Sequence, residues 1–169
     1  MALVATAGAV DANSYSTMTE AEDYFENRLH RSNWDDANSN DQEAALLMAT
    51  GLLDRLCDWD GSKPNDTQAL RWPRSFIWDP DGKKVDTDII PQFLKDATAE
   101  FALHLIGSDM TITIDRDLEG FKQLEVGPLN LVLDVAGGAH KKAIMPDSVW
   151  IIVRSYCSRI GGSKTLVRV

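Results

Sequence analysis

Between residues 58 and 88 the chain carries proline, glycine or aspartate every few positions, and this run constrains the fold more than any other stretch. Proline fixes φ and removes a backbone donor, so neither a helix interior nor a central strand fits here. A connection this long in a compact domain is either functional or tightly packed. Helical periodicity stands on both sides of it. Upstream, "TMTEAEDYFENRL" offers Thr17 or Thr19 as N-cap, acids in the first turn, and Ala21, Tyr24, Phe25 and Leu29 on one face. After a polar loop, "NWDDANSND", Asp41 is expected to cap a second helix. Its inner face is Ala45, Met48, Ala49, Leu52, Leu53 and Leu56, with Glu43, Thr50 and Asp54 opposite. Downstream, Pro91 opens a third helix with Ile90, Leu94, Ala97, Phe101 and Leu105 inward and Gly107 at its end. Gln92, Lys95 and Asp96 are expected to face water.

Beyond that helix, "MTITID" reads as an extended strand, and residues 122–134 read as a hairpin turning at Gly127-Pro128. "MPDSVWIIVRSYCSRI" then predicts a fourth helix from near Pro146, with Met145, Val149, Ile152, Val153 and Tyr156 on its inner stripe. Helical pattern stops at Gly161-Gly162, and the closing "SKTLVRV" alternates polar and apolar residues, a pattern that could add a strand to a neighbour's sheet. The expected fold is therefore mainly α: a bundle of about four helices with a small β-hairpin and an extended C-terminal arm. Residues 1–160 form the domain and 161–169 the arm.

With 169 residues, 44% hydrophobic and 25% charged, the chain is long enough for one ordinary core. It has no run of about 18 apolar residues, so no membrane partner is expected. The N-terminal "MALVATAGAVDANSY" lacks the basic flank of a signal peptide. Cys57 and Cys157 lie in apolar surroundings and read as buried free thiols. A net charge of −9 repels phosphate, which argues against a general nucleic-acid binder. That charge is uneven. From residue 140 onward Lys141, Lys142, Arg154, Arg159, Lys164 and Arg168 face only Asp147, a local balance of +5 against −14 for the rest. An acidic body with a basic end suggests that the end meets something acidic.

No catalytic set emerges, so an enzyme is not expected, nor a metal or a cofactor. "GGSKT" lacks the glycine directly before lysine that a phosphate-binding loop needs, and no helix follows it. "DPDGKKVDTD" places residues unsuited to calcium at two ligand offsets and reads instead as a turn. His104 lies near the apolar face of the third helix, where a hydrogen-bonded core histidine is the expectation, and no nucleophile neighbours any histidine by spacing. "QALRWPRSFIWDPDG" mixes tryptophan and arginine in a way that single-strand binding uses, by stacking and phosphate contact. The proline after Trp72 and the surrounding aspartates favour a different role. Arg71, Trp72, Pro73, Arg74 and Trp78 are expected to anchor the loop to the helices or to support a subunit contact.

The order "ANSYSTMTEAEDYFENRL", "EAALLMATGLLDRL", "QALRWPRS", "IPQFLKDATAEFALHLI" and "VGPLNLVLD" resembles a family of tailed-phage and prophage proteins. That family is labelled DnaT-like single-stranded-DNA-binding, is encoded among head and tail morphogenesis genes, and is similar to head–tail adaptor (head-completion, connector) proteins. The resemblance implies a structural virion protein at the head–tail junction, assembled in the host cytoplasm as a homo-oligomer, a dodecameric ring. It would bridge the portal protein and a tail, tail-terminator or nozzle protein, meeting DNA only as genome passing through its lumen. It also implies that a C-terminal arm docks on the portal, carried here by Arg159, Gly161, Gly162, Lys164, Leu166, Val167, Arg168 and Val169. The glycine pair would let the arm change direction. The family label supplies the competing expectation, a single-stranded-DNA-binding accessory of replication.

Overall fold

The computed structural model describes residues 2–110, 123–126, 129–132 and 144–160. The chain divides into two compact units, Met1–Asp109 with Met145–Val169, and Met110–Ile144.

In the first unit, helix α1 (Met18–Glu26) starts where Thr17 and Glu20 cap one another. The Thr17 side chain accepts the Glu20 N–H at 3.2 Å, and the Glu20 carboxylate accepts the Thr17 N–H at 2.8 Å. Ala21 and Phe25 are buried as expected, but the helix stops at Glu26, so Leu29 lies beyond it and is 77% exposed. The polar loop that follows contains a short helix, α2 (Ser32–Asp36), which buries Trp34 against Phe25 with ring centroids 4.4 Å apart. Five residues with one apolar member carry no readable period, which is why this element is hidden in the sequence.

Helix α3 (Ser39–Leu56) begins before Asp41. Asn38 is its N-cap, accepting the Asp41 N–H at 3.0 Å, and Asp41 sits in the first turn, where a negative charge suits the helix dipole. Its buried face is Ala45, Leu46, Ala49, Thr50, Leu52 and Leu53, turned slightly from the expected one. Met48 is half-exposed, while Thr50 goes inward and its hydroxyl accepts the Tyr15 N–H at 3.2 Å. The helix runs directly into strand β1 (Cys57–Trp59), whose residues alternate buried, exposed, buried.

Helix α4 (Gln92–Gly107) is the centre of the unit, with α1, α2 and α3 all packed on it. Every residue from Ala97 to Leu103 is buried, more than one face can supply, so the helix is enclosed rather than amphipathic. Ala97, Ala99 and Ala102 let its neighbours approach closely. At its outer edge Lys95 meets Glu20 in an ion pair.

Helix α5 (Asp147–Val153) follows Pro146 and packs Val149 and Val153 against α4. It is shorter than predicted. Residues 154–156 turn, and strand β4 (Cys157–Arg159) pairs antiparallel with β1 in the register Cys57↔Arg159, Asp58↔Ser158, Trp59↔Cys157. The reason is a hydrogen-bonding requirement: β1 buries Cys57 and Trp59, and β4 supplies one of its edges with backbone partners while Arg71 and Arg74 bond the Cys57 and Trp59 carbonyls. Cys57 and Cys157 are both buried free thiols. The Cys157 thiol and burial push the Cys57 pKa well up, so it is held as the inert thiol.

The second unit contains the antiparallel pair β2 (Gln123–Val126) and β3 (Leu129–Val132), in the register Gln123↔Val132 through Val126↔Leu129. This hairpin falls inside the expected 122–134. Among the described residues the protein is mainly helical, with five helices and this hairpin. Residues 111–115 of the strand expected in "MTITID", the turn at Gly127-Pro128, and the arm from Gly161 to Val169 lie outside the described residues.

Candidate nucleic-acid interface

The excursion from 58 to 88 is fastened to the helices at "QALRWPR". Tyr15 is fully buried; its hydroxyl donates to Asp54 Oδ1 and accepts the Trp72 N–H at 3.3 Å. Asp54 Oδ2 accepts the Arg71 N–H at 3.1 Å. Burial raises the pKa of the Asp54 carboxyl despite the hydrogen bonds from Tyr15 and Arg71. Burial and then the Asp54 charge hold the Tyr15 hydroxyl well above its ordinary value. Asp54 was expected on the outer face of α3, and instead ties that helix to the loop. The Asn13-Ser14-Tyr15 motif also acquires a role here. Asn13 Oδ1 accepts the Val4 N–H at 2.7 Å, folding the N-terminal segment back so that Tyr15 points inward.

Trp72, 1% exposed, meets Trp59 edge-on at 5.7 Å and Phe93 at 5.5 Å, and Phe93 stacks flat on Tyr156 at 3.9 Å. The Trp72–Pro73 peptide is cis. Both arginines are occupied internally. Arg71 Nη1 donates to the Cys57 carbonyl at 3.1 Å. Arg74 reaches four carbonyls, those of Asp60 at 2.5 Å, Gly61 at 2.7 Å, Trp59 at 3.2 Å and Arg71 at 3.2 Å. Burial, then the neighbouring Arg71, lowers the Arg74 pKa. Gly61 allows this close approach: its φ is +69°, and a Cβ there would stand 2.2 Å from the Ser75 carbonyl oxygen.

Past this anchor the side chains alternate in exposure across a bend at Phe76. Ile77 is 2% exposed, while Phe76 and Trp78 on either side are 66% and 54% exposed. Phe76 adopts φ +63°, a left-handed conformation unusual for an aromatic residue and found at functional sites more often than elsewhere. Trp78 forms an antiparallel bridge with Lys84. The turn between them is closed by Asp79, whose Oδ1 accepts the Lys83 N–H at 2.7 Å and the Asp81 N–H at 3.1 Å. The aspartate chemistry of "DPDG" therefore makes a turn. Lys83 and Lys84 are both exposed. The structure thus divides the expected anchor residues: Trp72 and Pro73 are buried and Arg71 and Arg74 are bonded inward, while Trp78 stands in solvent beside Phe76 and two lysines. No pattern in "SFIW" distinguishes the two tryptophans, because Phe76, Ile77 and Trp78 are all apolar.

A second polar cluster crosses the central helix. Glu100, buried on α4, accepts Arg28 Nε at 2.9 Å, Arg28 Nη2 at 3.0 Å and the Tyr24 hydroxyl at 3.0 Å. Its burial alone would raise its pKa, but the Arg28 and Tyr24 hydrogen bonds outweigh that and leave it lowered. Burial, then the Glu100 charge, pushes Tyr24 up to about 12. His104 Nε2 lies 2.9 Å from Ser148 Oγ and 3.5 Å from Glu100 Oε1. Sequence spacing placed no nucleophile beside a histidine, and the fold brings Ser148 there. Serine and carboxylate address the same ring nitrogen, however, whereas a hydrolytic triad needs the acid on the other one. The cluster ties α1, α4 and α5 together. Among the described residues no group of three or more His, Cys, Asp or Glu is placed to hold a metal, and no described helix is long and apolar enough to cross a membrane.

Of the expected arm only Arg159 lies among the described residues. Its guanidinium covers the Trp150 ring at 4.6 Å and bonds Asp147 at 3.1 Å. A family model described as "Putative DnaT-like ssDNA binding protein" matches residues 1–169. No curated protein and no solved structure matched the chain. The family match corrects the expectation of a structural head–tail adaptor in a virion neck. The family is described by binding to single-stranded DNA, which fits the competing expectation.

Proposed function

Because the chain belongs to the DnaT-like single-stranded-DNA-binding family, matched over its whole length, we propose that it binds single-stranded DNA as a non-enzymatic accessory of replication. Phe76 and Trp78 are the stacking surfaces, and Lys83 and Lys84 the phosphate contacts. One observation carries this reading: a short segment that buries Ile77 and leaves the rings on either side of it in solvent, with Trp78 bridged to exposed Lys84. Every base has a π face, so two exposed rings at i and i+2 recognise a strand without demanding a sequence. Arg74 serves indirectly by fixing the base of the loop. With its guanidinium on four carbonyls it is not a phosphate ligand. The strained Phe76 backbone and the rigid turn at Asp79 hold the platform ready, which reduces the ordering cost of binding.

Anisotropy titration with a short labelled oligonucleotide tests the site. Phe76→Ala and Trp78→Ala are each expected to weaken binding by about 1–3 kcal/mol, the usual worth of one base–aromatic stack. Thermal midpoints should hardly move, because both rings are exposed. Wild-type affinity in the double variant would overturn the assignment.

A further inference from the structure

We propose that Asp79 reads the edge of a base stacked on Trp78, so that the platform prefers cytosine to thymine there. The inference rests on the stacking role of Phe76 and Trp78. Stacking alone demands no sequence, and Asp79 adds one preference to it. Asp79 follows Trp78 directly, is half-buried, and has its carboxylate anchored at one oxygen. Oδ1 accepts the Lys83 N–H at 2.7 Å and the Asp81 N–H at 3.1 Å. The backbone is tied as well: the Asp79 N–H donates to the Lys83 carbonyl at 2.8 Å, and the Asp79 carbonyl accepts the Gly82 N–H at 2.9 Å. Oδ2 accepts no hydrogen bond from the described residues. A fixed carboxylate with a free oxygen is therefore held one residue from a base-stacking ring.

The turn does not need the charge, since asparagine closes the same kind of turn through its side-chain carbonyl. In a chain of net charge −9, a carboxylate beside a nucleic-acid site also works against phosphate. Its free oxygen suits a base edge instead. A carboxylate accepts from the exocyclic amine of cytosine, the pairing by which acidic side chains read that base. Thymine carries a carbonyl at the same ring position, whose lone pairs would face the carboxylate with no proton between them. Asp81, Asp86 and Asp88 are exposed and have no such side-chain tether among the described residues, so ordering them against a base costs more. Lys83 and Lys84 offer only donors, which suit phosphate. With one oxygen already held, Asp79 has less freedom to lose on binding.

Anisotropy titrations of the full chain with labelled oligo(dC) and oligo(dU) of equal length test this. Uracil presents the thymine edge without the methyl group, and mildly alkaline pH keeps oligo(dC) from pairing with itself. Wild type should bind oligo(dC) about three- to tenfold more tightly, the worth of one net hydrogen bond. Asp79→Asn keeps an acceptor for the Lys83 and Asp81 N–H groups and turns the free oxygen into a donor. The preference should then vanish or reverse while the thermal midpoint holds. The ratio of the two affinities is the readout, because removing a negative charge strengthens binding to both strands alike. Trp78→Ala should remove the preference together with the stack. Equal wild-type affinities overturn the inference, and so does a cytosine preference that survives in Asp79→Asn. Neither result bears on the platform itself, which fails only if the Phe76→Ala, Trp78→Ala double variant binds as tightly as wild type.

Discussion

On the helical period of α3, Asp54 falls with the polar residues, yet its carboxylate holds the Tyr15 hydroxyl and the Arg71 N–H and so fixes the loop. Removing it as Asp54→Ala leaves two buried donors without an acceptor. At about 1–3 kcal/mol per orphaned group, the expected loss is about 2–6 kcal/mol in a urea titration. Tyr15→Phe should cost about 2–4 kcal/mol, because the ring stays packed but the buried Trp72 N–H loses its acceptor and Asp54 loses a donor. Since the residues share one hydrogen bond, the double variant should lose clearly less than the sum. Strict additivity would mean that the two act separately. The sequence could not reveal this link, because Asp54 and Tyr15 are joined only by the fold. For the same reason it could not separate Trp72 from Trp78. Both sit in proline-broken surroundings, and only the packing of Trp59 and Phe93 decides which ring is enclosed.

Among the elements, α1, α3 and α4 were legible because each is long enough to show a period and carries a cap or a proline at its start. The short elements were not. Helix α2 and strands β1 and β4 form where neighbouring elements supply partners, and "CSRI" read as a continuation of α5 until its pairing with β1 was visible. Helix α4 also hides its most consequential residue. Glu100 occupies a core position, and its lowered pKa links it to acid stability. The folded carboxyl binds its proton below the usual carboxylate range, so the unfolded chain takes up protons first as pH falls. The contribution of the Arg28–Glu100–Tyr24 cluster is thus complete above that range and is lost as pH drops through the lowered value. Glu100→Gln should flatten this acid limb in a series of thermal melts from neutral pH downward. An unchanged slope would mean that other carboxylates control it.

For the whole molecule, the balance of −9 and the platform's two lysines set the character of DNA binding. For single strands the salt slope is about −0.7 per neutralised phosphate, so Lys83 and Lys84 give about −1.4 in log affinity against log salt. Binding should therefore be carried by stacking and stay only weakly salt-sensitive. A slope of about −4 or steeper would mean that more of the basic C-terminal stretch, from Lys141 to Arg168, lies on the strand. The charge asymmetry was plain in the sequence, but what it faces depends on which arginines the fold consumes internally.

The pairing of Cys57–Trp59 with Cys157–Arg159 joins positions about a hundred residues apart. Strand β1 therefore leaves the ribosome long before its partner is made, and α4 emerges while α5, which packs on it, does not yet exist. The nascent chain carries an unfinished sheet edge and an uncovered helix until α5 and Cys157–Arg159 have been made, and the first unit can close only after that.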